Sequence, residues 1–386
     1  PFRAFRYDPE KAGAPLEKLL AQPYDKITPA MQERYYALGP HNLIRLELGR
    51  KEPGDNETHN VYTRAAGWLA EQIRLAVLVQ DPRPALYPYF QEYTVPGSRE
   101  KRLRKGLIAL GKIEDYEARV IHPHERTLAG PKADRLELLR HTRTHTGQLF
   151  LLYDDPEQEV DRLLTDLARN RSGVSVIDEF DVSHRLWVVD APEAIARIQQ
   201  LLQAKKLVIA DGHHRYETAL AYRNECRAKG ASPDEPHERV LMTLINMAGE
   251  GLTILPTHRV VHGLAEFHFA RFRDAAARYF DWYAYPFDSA ERAAAERQFR
   301  KDLVEGSRPE GLGRSALGVY ARGENAFYLF LLKANADLAG WLPEVSPRQR
   351  SLDVVLLHRL LLERCLGLDE EEVRQQKNLR YVREWE

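Results

Sequence analysis

Residues 206–222 read KLVIADGHHRYETALAY, an apolar run, a charged turn and a helical pattern in direct succession. The apolar run predicts the end of a buried strand, and residues 216–222 predict the first turns of a helix. Gly212 between them allows the backbone to come close to a ligand. Because the first N–H groups of a helix lack partners inside it and lie at the positive end of its dipole, the turn predicts a phosphate-binding site.

Four side chains of this turn carry the predicted chemistry. His213, His214 and Arg215 offer two imidazoles and a guanidinium to an anion. Asp211 is a candidate base, and it is also a candidate ligand for Mg²⁺. An Asp-Gly dipeptide is common in turns, and Asp can simply cap a helix. The concentration of these four side chains in five residues favours a functional site over a structural turn.

The composition is that of an ordinary globular protein. Of the 386 residues, 44% are hydrophobic and 29% are charged, and the formal net charge is −1. A net charge this close to zero produces no overall electrostatic attraction to nucleic acid or to an anionic membrane. Nucleic-acid binding is therefore not expected, and any recognition of an anion must be local. The chain has two cysteines, no apolar run long enough to span a bilayer and no signal core. These features predict a cytoplasmic protein.

The chain divides by pattern into three regions, residues 1–80, 81–264 and 265–386. Strands and helices alternate in the second region, which predicts an α/β or α+β fold with a central mixed sheet, helices around it, and flanking α/β regions. The pattern predicts strands at Asn42–Leu48, Ala85–Val95, Lys105–Ile113 and Leu252–Val261, and a buried helix at Leu352–Leu366.

A second group of candidate residues lies in a loop and at the start of the helix after it. His124 and Glu125 can supply a general base and the group that orients it. Lys132 and Arg135 place positive charge near a helix N-terminus, where the dipole disfavours it unless an anion binds. The alternative is ordinary surface charge on that helix.

Two weaker candidates for substrate contact are Tyr24-Asp25 in a turn-rich loop and His258-Arg259 in a strand-like run. Zinc is not expected, because the chain has no cysteine pair and the side chains of the adjacent His213 and His214 point in different directions. Mg²⁺ is compatible with the chain, held by a carboxylate such as Asp211 together with substrate phosphates. The sequence contains no P-loop, no Rossmann glycine pattern and no kinase catalytic loop.

Five motifs follow one another along the chain: Pro23–Asp25 with Thr28-Pro29, Asn42–Leu48, Pro123–Thr127 with Gly130–Arg135, Ala210–Ala219, and Leu255–Arg259. In this order they resemble the prokaryotic family called domain of unknown function 1015, over nearly the whole chain. The resemblance implies a further segment after Tyr381, rich in Lys-Ser-Thr and Tyr-Phe-Pro-Lys. This chain has neither that segment nor a starting Met, so we expect its ends to be trimmed.

The Asp-Gly-His-His-Arg turn is also similar to the signature of the ParB/sulfiredoxin-like fold, which includes free-serine kinases. This resemblance implies a core of that fold in residues 81–264, with Gly212, His213, His214 and Arg215 holding nucleotide phosphates. It further implies that Glu125 activates the substrate hydroxyl and that Asp211 is a catalytic or Mg²⁺-binding carboxylate.

The function predicted from these resemblances is transfer of a phosphoryl group to a small molecule. Free L-serine is the expected acceptor, and ATP, ADP or pyrophosphate is the expected donor. Two alternatives stay open. One is a phosphohydrolase, and the other is a non-catalytic regulator of ParB type that senses nucleotides or binds DNA.

Overall fold

A computed structural model describes residues 1–96, 98–123, 129–169, 171–255, 257–305, 314–369, 372 and 378–382. The chain divides into two compact units, Pro1–Ile254 and Leu255–Glu386. Residues 1–80, expected as a separate region, belong to the first unit. Both units mix helices and strands, so the predicted α/β class is confirmed at this level.

The first unit holds most of the helices that position the site. They are α1 (Pro9–Ala12), α2 (Leu16–Leu19), α3 (Pro29–Ala37), α4 (Ile44–Glu47), α5 (Val61–Arg74), α6 (Ala129–Thr142), α7 (Glu159–Arg169), α8 (Pro192–Leu202) and α9 (His213–Ala228). Short 3-10 helices occur at Tyr24–Lys26, Tyr116–Ala118 and Pro236–Glu238.

The strands of the first unit form one small sheet and one large sheet. They are β1 (Phe5–Tyr7), β2 (Leu78–Gln80), β3 (Tyr87–Thr94), β4 (Lys101–Lys112), β5 (Ile121–His122), β6 (Leu149–Tyr153), β7 (Val174–Ile177), β8 (Ser183–Leu186), β9 (Leu207–Asp211) and β10 (Arg239–Asn246). β1 and β2 pair with each other, and the large sheet has eight strands in the order β5-β9-β6-β10-β4-β3-β8-β7. Its β5–β9 and β6–β10 pairs are parallel and the others antiparallel, so the sheet is mixed as predicted.

Helices α7, α8 and α9 contribute side chains to a core on one face of the large sheet. The core includes Leu149, Leu151, Leu164, Ile198, Tyr216 and Ala219. Tyr216 is fully buried, and its hydroxyl donates to the Glu114 carbonyl at 2.6 Å. Burying one such side chain stabilises the fold by about 2 kcal/mol. The start of α9 is therefore anchored where strand β9 ends.

The predicted strand at Asn42–Leu48 is wrong, because this stretch contains helix α4. Asn42 is fully buried, and its side-chain amide donates to the carbonyls of Lys18 and Leu20 at 2.8 and 2.9 Å. Its side-chain oxygen accepts from the Ile44 N–H at 2.9 Å and starts a helical turn. These long-range contacts override the alternating pattern and turn Glu47 into the interior.

The second unit has its own elements. They are β11 (His258–Val261), α10 (Phe269–Ala276), β12 (Phe280–Pro286), α11 (Arg292–Glu305), β13 (Ala316–Val319), β14 (Ala326–Leu332), α12 (Leu338–Trp341), α13 (Asp353–Leu356), a π-helix (Leu357–Cys365) and β15 (Leu379–Val382). Its sheets are β11-β15 and β12-β14-β13. The helix predicted at residues 352–366 is present as α13 and the π-helix, whereas only the end of the strand predicted at residues 252–261 forms, as β11.

In the part of the chain described above, no helix combines the length and apolar character needed to cross a membrane.

Candidate functional site

The site is built around Gly212, the single residue between β9 and α9. Its backbone is left-handed, with φ +93° and ψ 26°, a conformation that favours glycine. Gly212 has no side chain to cap the helix. The first N–H to bond within α9 is that of Tyr216, which donates to the Gly212 carbonyl at 2.9 Å. The N–H groups of residues 213–215 therefore have no acceptor inside the helix.

A β-bulge sets the direction of Asp211. Phe150 of β6 pairs with Asp211, but the next residue, Leu151, pairs with Ile209, so Ala210 is an extra residue in β9. A bulge bends its strand and changes where the following side chain points. Asp211 consequently shares a face of the sheet with Phe150.

Arg215 fixes the shape of the turn. Its Nη2 donates to Asp211 Oδ2 at 2.8 Å, and its Nη1 donates to the Gln148 carbonyl. The Arg215 side chain is 14% exposed, whereas the Asp211 side chain is 54% exposed. Arg215 therefore holds the turn from its buried side. Asp211 is the member of this ion pair that is accessible to solvent and ligands.

The two adjacent histidines have different environments. His213 is buried at 2% exposure, so little of its surface can contact a ligand. His214 is partly buried, and its Nδ1 has no hydrogen-bond partner among the described residues. Of the two imidazoles predicted to bind phosphate, that of His214 is the more exposed, and its Nδ1 is the buried side of the ring.

Helix α6 brings the second predicted group of residues to the same turn. Lys132 Nζ lies 3.4 Å from Glu217 Oε2 on α9, and these side chains are 38% and 20% exposed. The pair joins the first turns of two helices and leaves the ammonium group accessible. The other predicted members of this group, His124 and Glu125, lie outside the described residues.

Arg135 differs from the expected phosphate contact, because its guanidinium is buried and held by protein groups. It is 8% exposed, and its Nε and Nη2 donate to Asp134 Oδ2 at 2.9 and 2.6 Å. Its Nη1 donates to the Glu47 carbonyl at 2.8 Å and lies 3.6 Å from Glu47 Oε1. The geometry indicates a structural role.

Tyr24 and Asp25 belong to the same surroundings. The guanidinium of Arg135 lies 4.3 Å from the centre of the Tyr24 ring. Burial raises the pKa of Tyr24, and the positive charges of Arg135 and Arg215 act in the opposite direction. Asp25 is partly exposed and lies 3.8 Å from the ammonium group of Lys26. Three motifs that are distant in sequence thus converge on one turn.

Glu47 is a member of the site that the sequence did not identify. It is 5% exposed, and its Oε2 has no hydrogen-bond partner within the described ranges. A Cβ on Gly147 would lie 3.2 Å from Arg215 Cδ and 3.7 Å from Glu47 Oε1, so these three residues adjoin. The available signal was a single acidic residue within the apolar stretch LIRLEL at residues 43–48.

A small cavity of about 40 Å³ lies beside Arg215. It is lined by Arg135, Leu138, Leu139, Thr144, His145, Thr146, Gly147, Arg215, Thr218 and Val240. Thr218 is 3% exposed, and its hydroxyl has no partner in the described part of the chain. A cavity of this volume has room for roughly one to three water molecules.

His145 lines this cavity, and its surroundings predict that the folded protein loses stability in mild acid. Burial lowers the pKa of His145, although its Nε2 lies 3.1 Å from the Arg239 carbonyl, which opposes the shift. Below a pH of about 6.5 the unfolded chain binds a proton at this residue that the folded chain resists. Stability contributed by the neutral ring is therefore present above that pH and lost below it.

We expect His145→Gln to reduce the difference in unfolding free energy between pH 7.5 and pH 5.5, measured by urea denaturation. Exposed His59 offers a control, and His59→Gln should leave the difference unchanged. An unchanged pH dependence in His145→Gln would contradict the assignment.

His258 and Arg259 lie in the second unit, whereas the other described candidates lie in the first. Arg259 Nε lies 3.2 Å from His358 Nε2, and its guanidinium is 5.3 Å from the Tyr381 ring centre. Burial and the charge of Arg259 lower the pKa of His258.

A family model described as "Protein of unknown function (DUF1015)" matches residues 1–355. The matched range contains each candidate residue from Tyr24 to Arg259. No curated protein and no solved structure matches the chain.

Proposed function

We propose that this chain, which belongs to the DUF1015 family, is a small-molecule phosphotransferase whose active site is the turn Asp211–Arg215. One observation carries the proposal. The loop of Tyr24, the first turns of α6 with Lys132, and the glycine turn converge on a helix N-terminus whose N-cap residue, Gly212, has no side chain to cap it. Such an arrangement of N–H groups and cations suits a phosphoryl group.

In this proposal the donor's terminal phosphoryl group lies against the first turn of α9. The N–H groups of residues 214 and 215, together with the His214 ring and Lys132, stabilise its negative charge. Arg215 positions the turn, because its donors are committed to Asp211 and Gln148. Arg135 does not contact the phosphoryl group in this proposal. It holds Glu47 and the Tyr24 ring in place.

The reaction needs a base for the acceptor hydroxyl. A bond forms between the acceptor oxygen and phosphorus, the bond to the donor's leaving oxygen breaks, and the acceptor proton passes to a carboxylate. Glu125 is assigned this role from the resemblance to serine kinases alone. Asp211 is the carboxylate of the turn itself and is 54% exposed, and it supports either proton transfer or the orientation of the turn.

Mg²⁺ that accompanies a polyphosphate donor would have Asp211 as its protein ligand. Among the described residues, no group of three or more His, Cys, Asp or Glu could hold a metal ion. One carboxylate suits Mg²⁺, because the phosphates of the donor and water supply the remaining oxygens.

The finer fold assignment is also a proposal. We propose that the strands around β9, with α9, form a ParB/sulfiredoxin-like core. The supporting feature is the signature turn at the carboxyl end of β9, the second strand from one edge of the mixed sheet, directly before a long helix.

The test is phosphorus NMR of the chain with Mg²⁺ and ATP, ADP or pyrophosphate, with and without free L-serine. We expect a phosphoserine signal that depends on serine. Asp211→Asn should slow its formation by about 100-fold, the lower end of the range for a lost acid–base group. The matched control is Asp166→Asn, which changes an exposed Asp paired with Arg169 on α7.

Other outcomes identify the alternatives. Release of inorganic phosphate without phosphoserine would favour a phosphohydrolase. The exposure of Asp211 is compatible with this alternative, because water can reach the turn. No reaction with any donor, or equal rates in Asp211→Asn and wild type, would overturn the proposal.

A further inference from the structure

Arg104 on β4 is a guanidinium held over aromatic rings instead of beside an acid. It lies 5.1 Å from the centre of the Phe150 ring and 5.4 Å from that of the Tyr93 ring. Its Nε donates to the side-chain oxygen of Gln91 at 2.9 Å. Its terminal nitrogens make no hydrogen bond to any described residue, so they have donors to offer a ligand.

The charge of Arg104 has no carboxylate partner in the described part of the chain. No described carboxylate lies within ion-pair distance of it, whereas Arg102, two residues earlier on the same strand, lies 2.8 Å from Glu100. Arg104 is partly buried, and this burial lowers its pKa. A desolvated cation without an anion costs free energy, which a bound anion would recover.

The strand register places Arg104 on the face of the sheet that carries Asp211. Phe150 pairs with Asp211 on one side and with Thr243 on the other, and Thr243 pairs with Ile108. Residues paired across a sheet share a face, and so do residues an even number apart along a strand. Arg104 is four residues before Ile108, and its guanidinium reaches the ring of Phe150, the direct partner of Asp211.

We propose that Arg104 is a second anion-binding residue of the site, and that the phosphate ligand is therefore a polyphosphate. One phosphate group lies at the turn after Asp211 and another lies against the terminal nitrogens of Arg104, between the rings of Phe150 and Tyr93. The inference rests on the proposed function, because it takes the turn as the first phosphate site. It narrows the ligand to pyrophosphate or a nucleoside di- or triphosphate, as opposed to a monophosphate.

The test compares the binding of pyrophosphate and orthophosphate to the full chain by calorimetric titration. Wild-type protein should prefer pyrophosphate by about tenfold or more, the contribution of one charge-assisted hydrogen-bonding group. Arg104→Gln should remove this preference and leave orthophosphate affinity within about twofold of wild type. Arg102→Gln, which removes an ion-paired charge from the same strand, should keep the preference.

The outcomes separate this inference from the proposed function. A preference retained in Arg104→Gln, with orthophosphate still bound, overturns the role of Arg104 alone. Wild-type protein that binds both anions equally also overturns it. Wild-type protein that binds neither anion overturns the phosphate site at the turn as well. Arg104→Lys keeps a charge without the planar group and should retain part of the preference, which guards against misfolding of the glutamine variant.

Discussion

Gly212→Ala is expected to reduce phosphate binding and phosphoryl transfer by about 1000-fold, because it displaces several N–H donors of the turn at once. A non-glycine residue at φ +93° is strained by about 1–3 kcal/mol. The added Cβ would also lie 3.1 Å from Leu149 Cδ2 and 3.4 Å from Arg215 Cζ. Small shifts of the Leu149 and Arg215 side chains can relieve this crowding, but the strain at φ +93° is relieved only by a change in the backbone of the turn.

The control for this prediction lies at the other end of the same helix. Gly230 has φ +85°, and a Cβ there would meet no atom within 4 Å. Gly230→Ala should therefore cost a similar backbone strain of about 1–3 kcal/mol but keep the activity. The measurements are urea denaturation and the rate of phosphoryl transfer. Equal rates in the two variants would show that the shape of the turn does not matter for the reaction.

The glycine turn could be predicted from sequence because its signals are local. An apolar run, a glycine and a helical pattern follow one another without a gap, and the structure confirms β9, Gly212 and α9 in these positions. The hairpin of β3 and β4 was predictable for the same reason, since both strands lie close together along the chain. The order of β5, β9, β6 and β10 in the sheet is set by distant pairings, which no local pattern encodes.

The stretch around Glu47 shows where local patterns fail. Its alternation fits a strand, but the Asn42 side chain makes three hydrogen bonds, and the one it accepts from the Ile44 N–H starts a helical turn. Two of these bonds reach Lys18 and Leu20, which no reading of residues 42–48 alone could include. The burial of Arg135 depends on the same turn, because its Nη1 donates to the carbonyl of Glu47 there. The sequence shows that Arg135 lies near the start of a helix. It does not show that Arg135 is buried, because its partner Glu47 is 88 residues away.

Arg135→Met is expected to destabilise the first unit by about 3 kcal/mol, because it leaves a buried carboxylate without its cation. The side chains of Arg135 and Glu47 are 8% and 6% exposed, so the remaining carboxylate stays largely out of bulk water. The variant also removes the donor to the Glu47 carbonyl and the cation over the Tyr24 ring. Urea denaturation measures the loss.

Two further variants separate charge from packing. Arg140→Met removes an exposed arginine of the same helix, paired with Glu137 and Glu225, and should cost about 1 kcal/mol or less. Adding Glu47→Gln to Arg135→Met removes the unpaired charge and should recover part of the stability, since replacing both members of a buried pair costs less than removing one. An Arg135→Met protein that is as stable as wild type but no longer binds phosphate would instead make Arg135 a ligand contact. The buried position of its donors favours a loss of stability in Arg135→Met. A guanidinium that already donates to Asp134 and Glu47 has few N–H groups left for an anion.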